Sequence, residues 1–383
     1  MAPLRSTAAL AAALAASMIA AACSEQPATT APESAKTAAA APKPGADPAA
    51  VATCGLVPVD YDFRGLKDRF LVGKGAENSL NRQAVLARRV IHVNTDGAPN
   101  SYHSKVIGAD DRQLGALNLI CNAVVAIHPE SWFAWLPWVA KPKPLRCYGE
   151  RGIRVDPGYA AIYEKIRAND WKPTDGHRIK FNWDILGKQP GGTGWWARMF
   201  ETEKPCVNAQ GFFTSMTKLV RARPKDGCDQ SAYIDANEVP AFVLPKHWFD
   251  GWSSSTTGRW ASFKDGDVMV AHRPASGERP ESWVYGIVGD AGPIGKLGEA
   301  SIAMNWALKG EEGQIREKVR SYADVLKLDS GTMSPKEIPF LVLEGTASAL
   351  GGNFGADHVR SVAEKSFEAW GGPIRFKACL AAL

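Results

Sequence analysis

The sequence predicts an α+β fold that is rich in β-structure, with a mixed sheet or β-barrel core and a few packed helices in a single domain. Many short segments are rich in β-branched and aromatic residues and are bounded by Gly, Pro, Asp or Asn, whereas helical periodicity is clear in only three places. The sequence has no internal repeat and no alternation of strands with helices, so we expect the strands to pair out of chain order. The 45% hydrophobic content and the 13 tryptophans support a substantial core.

Seven segments have the strand pattern. They are RRVIHV (89–94), CNAVVAIH (121–128), GFFTSMTKL (211–219), VPAFVLP (239–245), GDVMVAHR (266–273), WVYGIV (283–288) and IPFLVLEG (338–345). Helices are predicted from apolar residues at helical spacing over 300–308, over 311–327 and from Val359 to Trp370. Gly310 ends the first helix, and the pair Gly371-Gly372 ends the third.

The N-terminal residues have the features of an export signal. Residues 1–22 contain one positive charge, an alanine-rich apolar run and small residues at the end, as in a lipoprotein-type signal peptide. The closing AAAC resembles a bacterial lipobox and predicts that Cys23 is acylated, with cleavage without lipidation as the alternative. Residues 23–53 are rich in Ala and Pro, which predicts a tether. The folded domain is then 54–383, on a protein that is lipid-anchored at the bacterial cell envelope, periplasmic or on the outer surface.

Cysteine and histidine spacing predicts disulfides rather than a metal site. Without Cys23, six cysteines remain, an even number that favours disulfides in an exported chain, with Cys206 and Cys228 as the preferred pair. The sequence contains no CxxC, no metal-ligand spacing of histidines and no phosphate-binding GK[ST] loop, so we expect no metal and no cofactor. No basic stripe with interleaved aromatic residues points to nucleic acid.

Charge and aromatic residues are unevenly distributed. From Asp229 to Ser301 the chain has ten acids against six Lys and Arg, although its overall charge is +5. Such a stretch forms a solvated face or steers a cationic substrate into a cleft. Residues 129–200 are dense in Trp, Gly and Pro. Buried aromatic residues are the common interpretation, but one or two of them are expected to line a sugar-stacking groove, the candidates being Trp132, Trp135, Trp195 and Trp196.

The stretch GIVGDAGPIGKLGEASIAMNWAL (286–308) carries two acids in a setting of glycines. Asp290 ends an apolar strand-like run, and Glu299 is expected in the first turn of the following helix. Two carboxyl groups beside one cleft are sufficient to hydrolyse a glycosidic bond, one as general acid and the other as base or nucleophile. Acids at a strand end and at a helix start are also ordinary turn and capping residues, so both interpretations stay open.

Four stretches occur in the order found in the fungal-type endo-chitosanases and their bacterial relatives, glycoside hydrolase family 75. They are IHVNTDGAPNSYH (91–103), GFFTSMTKL (211–219), YIDANEVPAFVLP (233–245) and YGIVGDAGPIGKLGEASIAMNWAL (285–308). The chain resembles this family over about 86–310, most specifically in the last stretch, where the family's acids lie in a GD…GE-S pattern with this separation. Asn94 departs from the family pattern, since an aspartate is common there. The tryptophan-rich stretch and the last 70 or so residues also fall outside it.

The resemblance implies an endo-acting, inverting glycoside hydrolase that cleaves β-1,4 bonds in chitosan or a related amino-sugar polymer, with Asp290 and Glu299 as the two catalytic acids. Asp96 matches an acidic position of the family's DG motif, with a substrate-side or structural role. Further candidates for substrate contact, each with structural hydrogen bonding as the alternative, are Tyr102, His103, Ser215, Thr217, Tyr233 and Asp235.

The division of roles between the two acids stays open. A glutamate in a first helical turn is favoured in its ionised form, which makes Glu299 the base and Asp290 the acid, whereas burial of Glu299 would reverse the roles. Two other hypotheses compete with the chitosanase. One is a hydrolase of peptidoglycan or of an exopolysaccharide, and the other is a non-catalytic glycan-binding envelope lipoprotein with the same fold.

Overall fold

The computed structural model of the chain describes residues 36–39, 48–63, 66–73, 84–105, 115–129, 157–190, 204–221, 227–249, 263–311, 315–332 and 337–383. Within them, a large mixed sheet and several helices form one domain. The predicted fold class, α+β and rich in β-structure, is confirmed.

The described residues contain twelve strands. They are β1 (Lys36–Ala39), β2 (Val57–Phe63), β3 (Leu66–Val72), β4 (Ala84–Arg89), β5 (His92–Asn94), β6 (Val124–Pro129), β7 (His177–Phe181), β8 (Ala241–Pro245), β9 (Val268–Arg273), β10 (Ser282–Gly292), β11 (Glu299–Ser301) and β12 (Ile338–Leu343). Ten of them form one sheet in the order β1-β2-β3-β4-β12-β9-β10-β8-β11-β5, and β6 pairs with β7. The β10–β8 and β11–β5 pairs are parallel, and non-consecutive strands are neighbours as expected.

The described helices are α1 (Pro48–Cys54), α2 (Ile120–Ala123), α3 (Pro157–Ala168), α4 (Ile302–Lys309), α5 (Ile315–Lys318), α6 (Tyr322–Thr332), α7 (Ala356–Trp370) and α8 (Gly372–Ala382). Short 3₁₀ turns span Gln230–Ala232, Lys246–Trp248 and Ala347–Leu350. The helices predicted over 300–308 and from Val359 to Trp370 are present with small shifts at their ends. The one predicted over 311–327 is not continuous, since α5 and α6 lie there as separate helices.

The sheet curls around its main core. Phe242 on β8 and Phe340 on β12 have ring centroids 4.6 Å apart, although β9 and β10 lie between these strands in the sheet. Three strand spacings in a flat sheet measure about 14 Å, so the sheet must curl to bring the two rings together. The concave face holds the main cluster of buried apolar residues, which also includes Met304 of α4. We call this side of the sheet the inner face and the opposite side the outer face.

The C-terminal residues beyond the family resemblance are an integral part of the domain. β12 lies in the middle of the sheet between β4 and β9. Helices α7 and α8 cover the outer face near β9 and β12, where Phe367 and Phe376 pack against strand residues. A disulfide between Cys54 and Cys379 joins α1 to α8, with the two Cα atoms 4.7 Å apart. Part of the segment 23–53, expected to be a tether, is folded onto the domain, since Lys36–Ala39 pairs with β2 and all of α1 except Cys54 lies in this segment.

The second disulfide joins Cys206 to Cys228, the preferred pair from the sequence, with Cα atoms 5.1 Å apart. Disulfides form and persist in oxidising compartments, which indicates an extracytosolic location. Among the described residues, the helices are all too short or too polar to cross a membrane. The predicted lipidation site Cys23 and the four tryptophan candidates Trp132, Trp135, Trp195 and Trp196 lie outside the described residues.

Two local predictions that concern the site were wrong. Glu299 is not in a helix: it is the first residue of β11, and α4 begins only at Ile302 because the Ser301 hydroxyl accepts a hydrogen bond from the Met304 N–H at 3.2 Å. The segment 211–219 is not a regular strand, since it makes only isolated bridges, such as that between Phe212 and His103. Its backbone bonds go to loops and side chains, and it forms part of a loop layer over the outer face.

Candidate active site

Asp290 and Glu299 lie in the same row of the sheet. Val243 on β8 is in register with Asp290 on β10, and on its other side it is in register with Glu299 on β11. The Cα atoms of the two acids are therefore two strand spacings apart, about 9–10 Å. The separation of nine positions in the sequence thus places the two acids on either side of one apolar residue.

Both acids face the outer side of the sheet. Phe242 and Leu244, the neighbours of Val243, belong to the inner core, so Val243 points outwards. Ala300, which follows Glu299, also belongs to that core. Residues in register on neighbouring strands share a face of the sheet, so the side chain of Glu299 lies on the same face as Val243.

A β-bulge puts Asp290 on this face. Val288 pairs with Phe242 and packs in the inner core, and the register then shifts so that Asp290 pairs with Val243. Since side chains alternate along a strand, residues 288 and 290 would share the inner face in a regular strand. The extra residue is Gly289, whose backbone runs so close to β8 that an added Cβ would lie 2.7 Å from the Ala241 Cβ.

Asp290 is half-buried and held by the backbone. Its Oδ1 accepts hydrogen bonds from the Ala291 N–H at 2.8 Å and the Lys218 N–H at 2.9 Å. Its other oxygen makes no hydrogen bond with the part of the chain that the structure describes. Burial raises the pKa of Asp290 to about 6 against these two bonds, and the charges of Asp265 and Glu299 raise it further.

Glu299 is positioned by a glycine and an asparagine. Gly298 has φ 112° and lies so close to the link between β4 and β5 that an added Cβ would lie 2.4 Å from the Val90 carbonyl oxygen, which requires glycine there. The Asn94 side chain on β5 donates from Nδ2 to Glu299 Oε2 at 3.4 Å. The same amide accepts the Asp96 N–H at 2.6 Å through Oδ1, which fixes its orientation.

Asp96 is a third carboxyl group at the site. Its Oδ1 accepts a hydrogen bond from the Tyr102 hydroxyl at 2.7 Å. Burial raises the pKa of Asp96 to about 7, and the charges of Asp290 and Glu299 add to this, against hydrogen bonds from Tyr102 and Asn94. Tyr102 itself is 1% exposed, and its pKa is raised well above the usual range by burial and by Asp96, so its hydroxyl keeps its proton.

The loop that carries Asp96 is fastened to the segment 211–219. The Gly97 N–H donates to the Ser215 hydroxyl at 3.0 Å. Gln230 donates from Nε2 to the carbonyl oxygens of Gly97 and Ser215 and accepts the Ser215 N–H. Gly97 has φ 91°, and an added Cβ would lie 2.3 Å from the Ile234 carbonyl oxygen, so this tight packing requires glycine.

These elements enclose a small cavity between the sheet and the loop layer. The residues that line it include Asn94, Asp96, Thr217, Val243, Asp290 and Ser301. The cavity volume is about 20 Å³, enough for about one water molecule. Glu299 adjoins the cavity through its hydrogen bond with Asn94.

A lysine and an aspartate lie beside Asp290. The Lys218 ammonium is 3.5 Å from Asp265 Oδ2 and 3.4 Å from the centre of the Phe249 ring. Burial raises the pKa of Asp265 against the charge of Lys218. The ion pair with Asp265 holds Lys218 in place, and the Lys218 backbone N–H donates to Asp290 Oδ1.

Of the residues predicted to bind substrate, Asp96 and Thr217 line the cavity, and Tyr102 supports Asp96 from behind. Ser215 is fully buried and binds the Gly97 backbone. Thr217 also donates to the Leu219 carbonyl oxygen at 2.9 Å. The three remaining candidates, His103, Tyr233 and Asp235, have other partners in the structure.

The cavity lining does not include His103, Tyr233 or Asp235. His103 packs edge-on against Phe212, accepts the Lys105 N–H at Nδ1 and faces the Gln210 carbonyl oxygen, and burial lowers its pKa. Tyr233 is buried, with its backbone paired to that of Val220. Asp235 pairs with Arg316 of α5, and burial raises its pKa.

Sequence reasoning missed Lys218, Asp265, Gln230 and Asn118, the last of which donates to the Tyr102 hydroxyl at 3.1 Å. Lys218 lies near the end of the segment 211–219 and Asp265 lies in the run KDGD (264–267), and neither stretch carries a motif that points to Asp290. The glycine pair around Asp290 was the signal for the bulge, since glycine inside a strand pattern marks such irregularities.

No protein-family model matches the chain, and no curated protein matches it. The paired carboxyl groups and their surroundings are therefore the basis for assigning a function.

Proposed function

We propose that the protein is an endo-acting, inverting glycoside hydrolase of the chitosanase type that cleaves β-1,4 bonds in chitosan or a related amino-sugar polymer. The proposal rests above all on Asp290 and Glu299, which flank Val243 on one face of the sheet. Their Cα separation of about two strand spacings is compatible with carboxyl groups roughly 6.5–9.5 Å apart, as inverting glycosidases require. The resemblance of four ordered motifs to glycoside hydrolase family 75 supports the same chemistry.

In this proposal, Asp290 is the general acid and Glu299 the general base. Burial raises the pKa of Asp290 to about 6, so a proton is available for the leaving oxygen under weakly acidic conditions. Glu299 accepts a hydrogen bond from Asn94, which holds it beside the cavity, and we assign it to take a proton from the attacking water. A helix dipole at Glu299 no longer supports this division of roles, because Glu299 lies in β11.

The acidic surroundings suit a cationic polymer. Asp96, Asp290, Glu299 and Asp265 interact electrostatically around one site, with Lys218 paired to Asp265. A cleft of this sign raises the local concentration of protonated glucosamine units. The chemistry needs two carboxyl groups and a water molecule and requires neither a metal nor a cofactor.

The proposed setting is the bacterial cell envelope. Acylation of Cys23 would attach the exported enzyme to a membrane, where it would degrade polysaccharide on the periplasmic side or at the outer surface. The disulfides are consistent with an exported enzyme.

The test is reducing-end release from soluble chitosan by the full-length protein with its disulfides formed, beside Asp290→Asn and Glu299→Gln. Each substitution removes acid–base catalysis, so kcat should fall by about 10²–10⁴-fold while the folded state is retained. The matched control is Asp175→Asn, since Asp175 is an exposed carboxylate paired with Lys165 away from the cavity, and its kcat should not change. NMR of the initial product anomer distinguishes inversion from retention.

Three outcomes would overturn the chitosanase. Cleavage of peptidoglycan or exopolysaccharide alone would assign the same chemistry to another polymer. Binding of glycan without cleavage would favour the non-catalytic lipoprotein. Full activity in both carboxyl variants would remove Asp290 and Glu299 from the mechanism.

A further inference from the structure

We infer, on the basis of the proposed function, that Asp96 is a third working carboxyl group, which shares one proton with Asp290 across the cavity and thereby keeps the general acid supplied. Both residues line the same cavity, which has room for about one water molecule. Either a direct contact or one bridging water can carry a proton between them.

The hydrogen bonds around Tyr102 determine which oxygen of Asp96 carries that proton. Asn118 Oδ1 accepts the Leu119 N–H at 2.8 Å, so its Nδ2 is the donor to the Tyr102 hydroxyl at 3.1 Å. The tyrosine has a single hydroxyl proton, and it donates that proton to Asp96 Oδ1 at 2.7 Å. In this arrangement Oδ1 is an acceptor, and a proton on Asp96 resides on Oδ2.

The charges around Asp96 favour one shared proton. Among the residues that the structure describes, the titratable groups that affect the pKa of Asp96 are Asp290 from β10, Glu299 from β11 and Tyr102, and none of the three is a cation. Burial raises the pKa of Asp290 to about 6, and burial with the Asp290 charge raises that of Asp96 to about 7. Two interacting carboxyl groups lose their protons in two steps that belong to the pair, so between these values the pair retains one proton.

The proton shared by Asp96 and Asp290 can serve general acid catalysis in each catalytic cycle. Asp290 donates its proton to the glycosidic oxygen as the bond to the anomeric carbon breaks, and Glu299 takes a proton from the attacking water. The cycle leaves Asp290 ionised and Glu299 protonated. The donated proton is the shared one, which passes from Asp96 Oδ2 to Asp290 before the bond breaks, and the proton released by Glu299 returns to the Asp96–Asp290 pair, so that no net proton is consumed.

The test compares pH profiles of kcat/KM for soluble chitosan in the wild type, Asp96→Asn and Tyr102→Phe. In Asp96→Asn, Asp290 holds the last proton alone, so the basic limb should move down by about one pH unit, from about 7 to about 6. In Tyr102→Phe, the hydrogen bond that favours ionised Asp96 is absent, so the basic limb should move up. Opposite shifts are not expected from loosening of the fold, and Asp175→Asn should leave the profile unchanged.

The second readout is free of activity. In ¹³C-carboxyl-labelled aspartate NMR without substrate, the wild type should show two coupled steps and Asp96→Asn only one. Basic limbs that coincide in all variants, or an Asp290 titration that is unaffected by Asp96→Asn, would overturn the shared proton. If the wild type cleaves no glycan but its carboxyl groups titrate in two coupled steps, the shared proton is supported and the proposed hydrolase activity is refuted. If Asp96→Asn does not fold, Tyr102→Phe still decides by the sign of its shift.

Discussion

Val288 and Asp290 are two residues apart on β10, yet they face opposite sides of the sheet. The bulge at Gly289 causes this, because it pairs Val288 with Phe242 in the inner core and Asp290 with Val243 on the outer face. Without it, a carboxyl group would enter an apolar core, where burial of an unpaired charge is costly. The candidate active site thus depends on one irregular residue in an otherwise regular strand.

Substitution of Gly289 should therefore disturb the site. In Gly289→Ala, the new methyl would lie 2.7 Å from the Ala241 Cβ, so β10 and β8 must separate. We expect a loss of about 1–3 kcal/mol in the free energy of unfolding and at least a roughly tenfold fall in kcat. Urea denaturation and reducing-end assays measure both. Adding Ala241→Gly removes the contacting methyl and should restore most of the activity, and a double variant as impaired as the single one would contradict the steric explanation.

Asn94→Asp should shift the acidic limb of the pH–activity profile. The change replaces the donor to Glu299 with a second negative charge at the same position, 3.4 Å away in the native structure. Like charges favour the protonated, inactive form of a general base, so the acidic limb should move to higher pH by about one unit. The same change at Asn169, in an exposed turn with Thr174, serves as the control and should have no effect. An unchanged acidic limb in Asn94→Asp would count against Glu299 as the base.

The two raised carboxyl pKa values predict that stability falls with rising pH. Asp290 and Asp96 have an ordinary pKa of 3.8 when unfolded and about 6 and about 7 when folded, so the folded state binds more protons between these values. Their contribution is fully present below pH 3.8 and is lost as pH rises through about 7, and it amounts to roughly 7 kcal/mol in total. Denaturation of the wild type and the Asp96→Asn/Asp290→Asn double variant at pH 5 and 8 tests this. The wild type should lose more stability than the variant, and equal losses would show that burial of the two groups costs little.

Removal of the Cys206–Cys228 disulfide should reduce both stability and activity. The bond closes a loop of 22 residues, which stabilises the fold by about 3 kcal/mol in the chain-entropy account. Cys228 is held by Thr214 through its carbonyl oxygen and lies two residues before Gln230, which fastens the Asp96 loop. A Cys206→Ser/Cys228→Ser variant should therefore have lower thermal stability and a lower kcat at a temperature where it is folded.

The Cys54–Cys379 disulfide provides the control, because it joins α1 to α8 away from the cavity. The Cys54→Ser/Cys379→Ser variant should lose stability but keep its kcat while folded. Equal losses of kcat in the two variants would mean that the Gln230 anchor has no specific role.

The regular strands were predictable because their sequence patterns are local. β9 and β12 are buried on both faces, and their continuous apolar runs predicted the segments 266–273 and 338–345 within a few residues. The segment 211–219 also matches the strand pattern but is not a regular strand, because its backbone bonds with loops and with the Gln230 side chain. Nothing in its sequence distinguishes these partners from a neighbouring strand.

Residue type and spacing in the sequence predicted the α+β class and the central strands and favoured Cys206–Cys228 among the possible disulfides, and the resemblance of four ordered motifs singled out Asp290 and Glu299 as candidates. Tertiary structure decided that Glu299 lies on a strand, that Gly289 turns Asp290 to the outer face, and that Asp96 interacts with both acids. These features depend on strand register and on burial between segments distant in the chain. The protonation of the three acids depends on the same burial, so it follows from the assembled sheet and loop layer.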